Sequence, residues 1–452
     1  MDAVDLDYRA RTLSACIPPH LVSRLLEFGH DEEVASQAGR GEWFCARERA
    51  RMLGEQGRQD EALEVLAPYL ATGWWRAAES TAELLEAWGR VEGAIALTGP
   101  HAEAGDPLAL GFFARLLARH GRGDEAFALL RPHVDDWFCA AALVDVAAGA
   151  DRDEEAAALL TDRIGTGHRC ESPSCRRGDA EPFNAVGLLA SIRERQGRVD
   201  DAVALLRTRD TTSVNNRDQL ADLLARHGRI EELRTYAATD YHGHAAQSLA
   251  ELLEERGDVE GAIDVYRQPE DSAARRCNGA VQLARLLARH DRGDEAIEVM
   301  RALADVPGGA EDWILDLLCT LYAEQGRARA GLAYLDDLKA RRGQEEWEVF
   351  RLRLPLMVAC GLREEAIERA RAHPEGRTRY TAWSTAELLA DAGRTAEAVA
   401  FLERHSTADS GILAWHLIGI GRVKDAVALV QQREPRPVVP PRTGVLDDEP
   451  PF

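Results

Sequence analysis

One phrase recurs down this chain and limits its possible folds more than any other feature: Leu-Ala-x-Leu-Leu-Ala-x-x-Gly-Arg-x-x-Glu-Ala-apolar-x-x-Leu. Its Gly, or the Asp that replaces it, falls at Gly57, Gly89, Gly121, Asp151, Gly197, Gly228, Gly257, Asp291, Gly326, Gly361, Gly393 and Gly421, eleven intervals averaging about 33 residues. Some copies are nearly verbatim: Ala114 to Ala126 reads ARLLARHGRGDEA and Ala284 to Ala296 reads ARLLARHDRGDEA. Trp43-Phe44-Cys45-Ala46 returns as Trp137-Phe138-Cys139-Ala140. A period in this range marks a repeat architecture, so the roughly three compact domains that 452 residues would suggest are not required.

Each unit reads as two amphipathic helices. In the seventh, Leu249, Leu252 and Leu253 precede Gly257-Asp258, and Ile263 and Tyr266 follow it, all at helical spacing. The Gly ends the first helix in a left-handed conformation, and acidic residues open the second near its positive end. Small residues such as Ala250 and Ala262 let the two helices approach closely. A hairpin of this length cannot bury both faces, so neighbours must stack. The expected fold class is all-α: an α-solenoid of about twelve helix-turn-helix repeats.

With Gly257 counted as position fifteen, Ala250 falls at eight, Leu253 at eleven, Ala262 at twenty and Tyr266 at twenty-four. The chain thereby resembles a degenerate tetratricopeptide-repeat (TPR) protein over residues 41–433. The Thr-Pro-Leu-His of ankyrin repeats is absent, and leucine-rich repeats are shorter and contain a strand. Two departures from the TPR pattern, the mostly missing Ala of the second helix and the missing closing Pro, put the family's superhelical pitch in doubt for this chain.

Residues 1–40 lack the Gly-Arg signal and read as an N-terminal capping segment, with one helix expected near Leu21 to Phe28. Residues 434–452 hold six of the eighteen prolines and read as an extended or disordered tail, either a linker or a polyproline ligand. The interval between Asp151 and Gly197 is longer than the rest, placing an insertion loop around residues 165–183.

Charge and motif narrow the function. The net charge of −22 repels phosphate backbones and anionic lipids, so general nucleic-acid or membrane-surface binding is not expected. Lys339 and Lys424 are the only lysines, and neither sits in a phosphate-binding loop. Gly-x-Ser-x-Gly, His-Glu-x-x-His and Gly-x-Gly-x-x-Gly are all absent, and no acid/base pair stands out, so no enzyme is expected. The acidic opening Met-Asp-Ala-Val-Asp-Leu-Asp has no apolar core of signal-peptide length, and a cytoplasmic location is expected.

The resemblance to TPR proteins implies that partners lie along the first helices, at positions five, nine, twelve and thirteen of each unit. Arg115 with Arg119, and Arg285 with Arg289, form like-charged pairs one turn apart, expected to be either anion anchors or solvated surface. Glu83, Asp222, Glu251, Glu387 and Trp415 occupy position nine elsewhere. His168, Cys170 and Cys175 in the insertion are a candidate zinc or redox site lacking an evident fourth ligand; no other cofactor is expected. His120, His227 and His290 share a register near first-helix C-termini, where a cation is electrostatically favoured. Aromatics at first-helix starts, Trp43, Trp75, Trp137, Phe183, Trp313, Trp347 and Tyr380, are expected to pack between units.

The leading expectation is a non-enzymatic scaffold or adaptor whose concave groove binds a basic protein or peptide. The alternatives are a peptide or small-ligand sensor, and a metal- or redox-responsive switch at Cys170 and Cys175. The sequence does not fix the oligomeric state.

Overall fold

A computed structural model describes residues 2–166, 183–209, 213–214, 217–240, 243–267, 273–306, 311–343, 346–373, 375, 379–405 and 410–432. The insertion candidates His168, Cys170 and Cys175 and the Pro-rich tail lie outside these. Among the described residues the chain is all-α apart from one two-residue antiparallel pair, Ser213–Val214 with Arg217–Asp218. It divides into two compact units, residues 1–109 with 377–452, and residues 110–376.

Every expected turn position lies between two helices. At Gly257 the φ angle is +81°, its N–H donates to the Glu254 carbonyl (2.9 Å), and the Asp258 N–H donates to the Leu253 carbonyl (2.9 Å). This pattern satisfies the orphan carbonyls of the first helix, and only Gly adopts it without steric cost. Asp151 and Asp291 are held in the same left-handed region, at +54° and +58°. The next helix, Val259–Tyr266, starts at Asp258, whose carboxylate accepts from the Gly261 N–H at 2.9 Å.

The small residues at positions eight and twenty are where the helices of a hairpin meet. Ala250 and Ala262 are buried, as are Ala50 and Ala62, Ala114 and Ala126, Ala284 and Ala296, and Ala386 and Ala398. A larger side chain at such a position would force the backbones apart. Trp43 is buried against Tyr69 and Trp74, with ring centroids 5.1 and 4.8 Å away, and Trp347 packs on Phe350 and His373. Trp75 and Trp137 are half-buried. Trp313 departs from the packing expectation: it is 45% exposed, and its indole N–H donates to Glu311 at 2.7 Å. The side chains of Phe183 and Tyr380 lie outside the description.

At several turns the Arg that follows the turn residue ties repeats together. Arg292 opens its helix and spans Glu295 with Nε (2.6 Å) and Nη2 (2.7 Å), while its Nη1 reaches Glu260 of the preceding repeat at 2.7 Å. Arg229 joins Glu232 and Asp200 in the same way, and Arg152 joins Glu155 and Asp124. A planar fork with five donors can serve both acids at once, which the point charge of lysine cannot match.

In the unit formed by residues 1–109 and 377–452, helices Ala3–Thr12, Pro19–Glu27 and Asp31–Gly39 precede the first repeat. They also pack on the last one. Leu21, Val22 and Leu25 share a buried cluster with Leu417, Ile418 and Val427. The Gln431 side chain donates to Gln37 at 2.9 Å and to Glu42 at 3.4 Å. Glu42, only 5% exposed, also accepts from Arg9 (3.2 Å) and from the Ile17 N–H (3.1 Å).

Cys16, Cys45, Cys139 and Cys319 are buried. Burial, helped by the nearby Glu42 carboxylate, pushes the Cys45 thiol up to about 12, which leaves it protonated and unreactive. No helix among the described residues is long and apolar enough to cross a membrane.

Candidate functional site

The residues singled out on the first helices have different fates in the two units. Within residues 110–376 much of their charge is consumed by neighbouring repeats. Arg115 pairs with Asp145, position nine to position nine of the next repeat, at 2.7 Å. Arg289 holds Glu254 of the preceding repeat with Nε at 3.1 Å and Nη2 at 2.7 Å, and His290 Nε2 lies 2.8 Å from the same carboxylate. Arg226 and His227 repeat the arrangement on Glu194, at 2.9 and 3.0 Å. The hydrogen bond from Arg289 holds the Glu254 carboxyl below the usual carboxylate range. Burial pushes Glu194 up, but its bonds from Arg226 and His227 outweigh this and lower it too. Two of the histidines therefore sit on a carboxylate of the repeat before. Arg119 and Asp222 also have partners. Exposed Glu251 accepts from Gln247 at 2.9 Å, and exposed Arg285 makes no ion pair among the described residues.

Within residues 1–109 and 377–452, Arg51 at position nine pairs with Glu48 at 2.9 Å in its own helix, but the carboxylates at this position are left open. Exposed Glu83 has no cation partner among the described residues, and Glu79, one turn earlier, is pushed up by burial and then by Glu83. Glu387 and Trp415 meet in one concavity of about 220 Å³, lined also by His20, Trp383, Gly411, Ile412 and His416. The repeat geometry explains why. Trp383 and Glu387 are positions five and nine of helix Arg379–Asp391, one turn apart on one face, and Trp415 is position nine of the next first helix, Ser410–Gly419. Position five of that helix is Gly411, which has no side chain to fill the gap.

The chemistry of this concavity is acidic and aromatic. Burial, and then the Asp391 carboxylate, push Glu387 above the usual carboxylate range, while the Trp383 indole N–H donates to it and partly offsets them. Trp383 is 42% exposed. Trp415 carries the Arg24 guanidinium 4.4 Å from its ring centroid and stacks with His20 at 6.5 Å. Burial, and then Arg24, lower the His416 imidazole, which keeps it neutral near neutral pH.

Glu387 and Trp415 were visible as groove positions in the sequence. Trp383 lies at position five and was readable from the same register, whereas His20 and His416 carry no sequence signal for this site. Among the described residues no cluster of His, Cys, Asp and Glu has metal-binding geometry.

No protein-family model matches this sequence, and no curated protein does. Several solved helical-repeat structures resemble it distantly. A pentatricopeptide repeat protein, PPR10 from maize, is 14% identical, with 90% of this chain and 66% of that chain covered at a TM-score of 0.32. An APC/C hetero-tetramer is 12% identical, with 77% and 70% covered at 0.29, and a TPR protein from Parabacteroides merdae is 14% identical, with 64% and 95% covered at 0.26. At these scores the likenesses carry no argument. On its own geometry the chain is an all-α helical-repeat protein, by its left-handed turns and its buried small-residue register.

Proposed function

We propose that this protein is a non-enzymatic scaffold or adaptor that binds a basic protein or peptide along its first helices. One observation carries the reading. The position-nine carboxylates Glu83, Glu251 and Glu387 are exposed and have no cation partner among the described residues, whereas Arg115 is taken up by Asp145 and, one turn further on, Arg289 by Glu254. Of the residues on this face, only Arg285 adds a positive charge without an ion-pair partner among the described residues. The uncompensated charge is therefore negative, and it complements a cationic partner and repels nucleic acid.

Fluorescence anisotropy with labelled oligo-arginine and oligo-glutamate peptides tests this at about 0.05 M and about 0.5 M salt, where the Debye length shortens severalfold. The basic peptide should bind at low salt and weaken at least tenfold at high salt. Equal affinity for the acidic peptide, or no binding of the basic one, sinks the proposal.

A further inference from the structure

We infer that the concavity between Trp383, Glu387 and Trp415 is a pocket for a single arginine side chain presented by a partner. The inference rests on the reading of a basic partner but names the place and the side chain. The cavity of about 220 Å³ is too small for a folded segment and suits one long side chain. It is lined by the exposed Trp383 and Glu387 of one helix and by Gly411 and Trp415 of the next.

Two features select guanidinium over other cations, and a third calls for a cation of any kind. A planar, weakly hydrated guanidinium stacks on indole faces and offers a carboxylate two parallel donors, while an ammonium does neither well. The chain already makes half of this contact itself, since Arg24 lies 4.4 Å over Trp415 and 4.0 Å over Phe28. The site is also short of positive charge. Arg24 is accompanied by Glu27 at 3.6 Å, and exposed Glu387 has no cation partner among the described residues beside a neutral His416. An arriving guanidinium would give Glu387 the cation that Asp145 finds in Arg115 and Glu254 in Arg289.

The test uses the full chain and blocked pentapeptides Gly-Ser-X-Ser-Gly with X as arginine, lysine, trimethyl-lysine or citrulline, read by tryptophan fluorescence and ligand-observed NMR. The arginine peptide should bind at least fivefold more tightly than the lysine peptide, and the neutral citrulline peptide should bind at least tenfold more weakly. Trp383→Leu and Glu387→Gln should each weaken arginine binding at least fivefold, with circular dichroism unchanged. Trp313→Leu, which removes an exposed Trp beside a Glu elsewhere, should leave it as in the wild type. Tighter binding of trimethyl-lysine, or arginine binding that survives both pocket substitutions, overturns the pocket. If oligo-arginine still binds in a salt-dependent way while the pocket variants change nothing, the pocket fails and the basic-partner reading stands.

Discussion

The same helix position does opposite things at two places in the chain, one in each unit. In residues 110–376, Arg115 and Asp145 face each other from position nine of successive repeats and close on one another at 2.7 Å. In the other unit the equivalent pair is Glu387 and Trp415, which cannot form an ion pair and leave a lined cavity instead. Position nine of the first helices is therefore not uniformly open. At Arg115 and Asp145, opposite charges on consecutive repeats are spent on the chain's own cohesion, whereas Glu251 and Arg285, also opposite and on consecutive repeats, make no ion pair among the described residues. Where consecutive repeats carry a carboxylate and a ring, recognition chemistry is left over.

Two polar ties, one in each unit, differ in burial, and this sets the largest expected effect. Glu42 gathers Arg9, the Ile17 N–H and Gln431 in a buried site, whereas Arg289 ties Glu254 at the surface, 54% exposed. Glu42→Leu should cost about 3 kcal/mol, because it strands buried donors and a largely buried guanidinium. Arg289→Met should cost less than about 1 kcal/mol and lose even that in high salt. Urea unfolding of both variants checks this, and comparable losses would break the distinction between a buried tie and a surface one.

Trp415→Arg attacks the comparison directly, since it writes the Arg115–Asp145 arrangement into the cavity by setting a guanidinium opposite Glu387. Binding of the arginine peptide should fall at least tenfold, about 1.4 kcal/mol, and the Glu387 carboxyl should move below the usual carboxylate range in an NMR titration. Undiminished binding would mean that position nine does not control access to the groove.

The turns provide a smaller contrast. Among the residues 1–109 and 377–452, all the turn positions are Gly, but the other unit has Asp151 and Asp291 at left-handed φ angles. Asp291→Gly should gain up to about 1 kcal/mol by relieving that strain, and Gly257→Ala should lose about 1–2 kcal/mol by creating it. Thermal unfolding of the two variants should move in opposite directions.

What the sequence disclosed divides along the same physical line. Periodic features were legible: the turn residue, the alanines at positions eight and twenty, and the placing of Glu387 and Trp415 on first helices all follow from local spacing. The Arg-x-x-Glu clasp of Arg292 with Glu295 was readable as an i,i+3 pair, yet its second partner, Glu260, belongs to the preceding repeat. The contact of residues 19–42 with residues 410–431 was not legible at all. Nothing in the periodicity of Gln37 or Glu42 reports that Gln431, almost four hundred residues later, donates to both. His20 entered the cavity by that same unpredicted contact.

The smallest effect concerns the sign of a pH dependence. Glu387 has its pKa raised in the folded chain, so its ionised form costs stability; the cost is present above the folded pKa and vanishes as pH falls through the unfolded value of about 4.3. Glu254 has its pKa lowered by Arg289, so its ionised form adds stability, which is lost as pH falls through the folded pKa. Glu387→Gln should therefore be slightly more stable than wild type at pH 7, by less than about 0.5 kcal/mol for so exposed a group, with the gain fading toward pH 4. Glu254→Gln should be slightly less stable at pH 7, with its deficit shrinking under acid. Melting temperatures measured from pH 4 to pH 7 separate the two. Shifts of the same sign would mean that the carboxylate in the cavity is as well partnered as the one between repeats, and the cavity would have no charge left to offer.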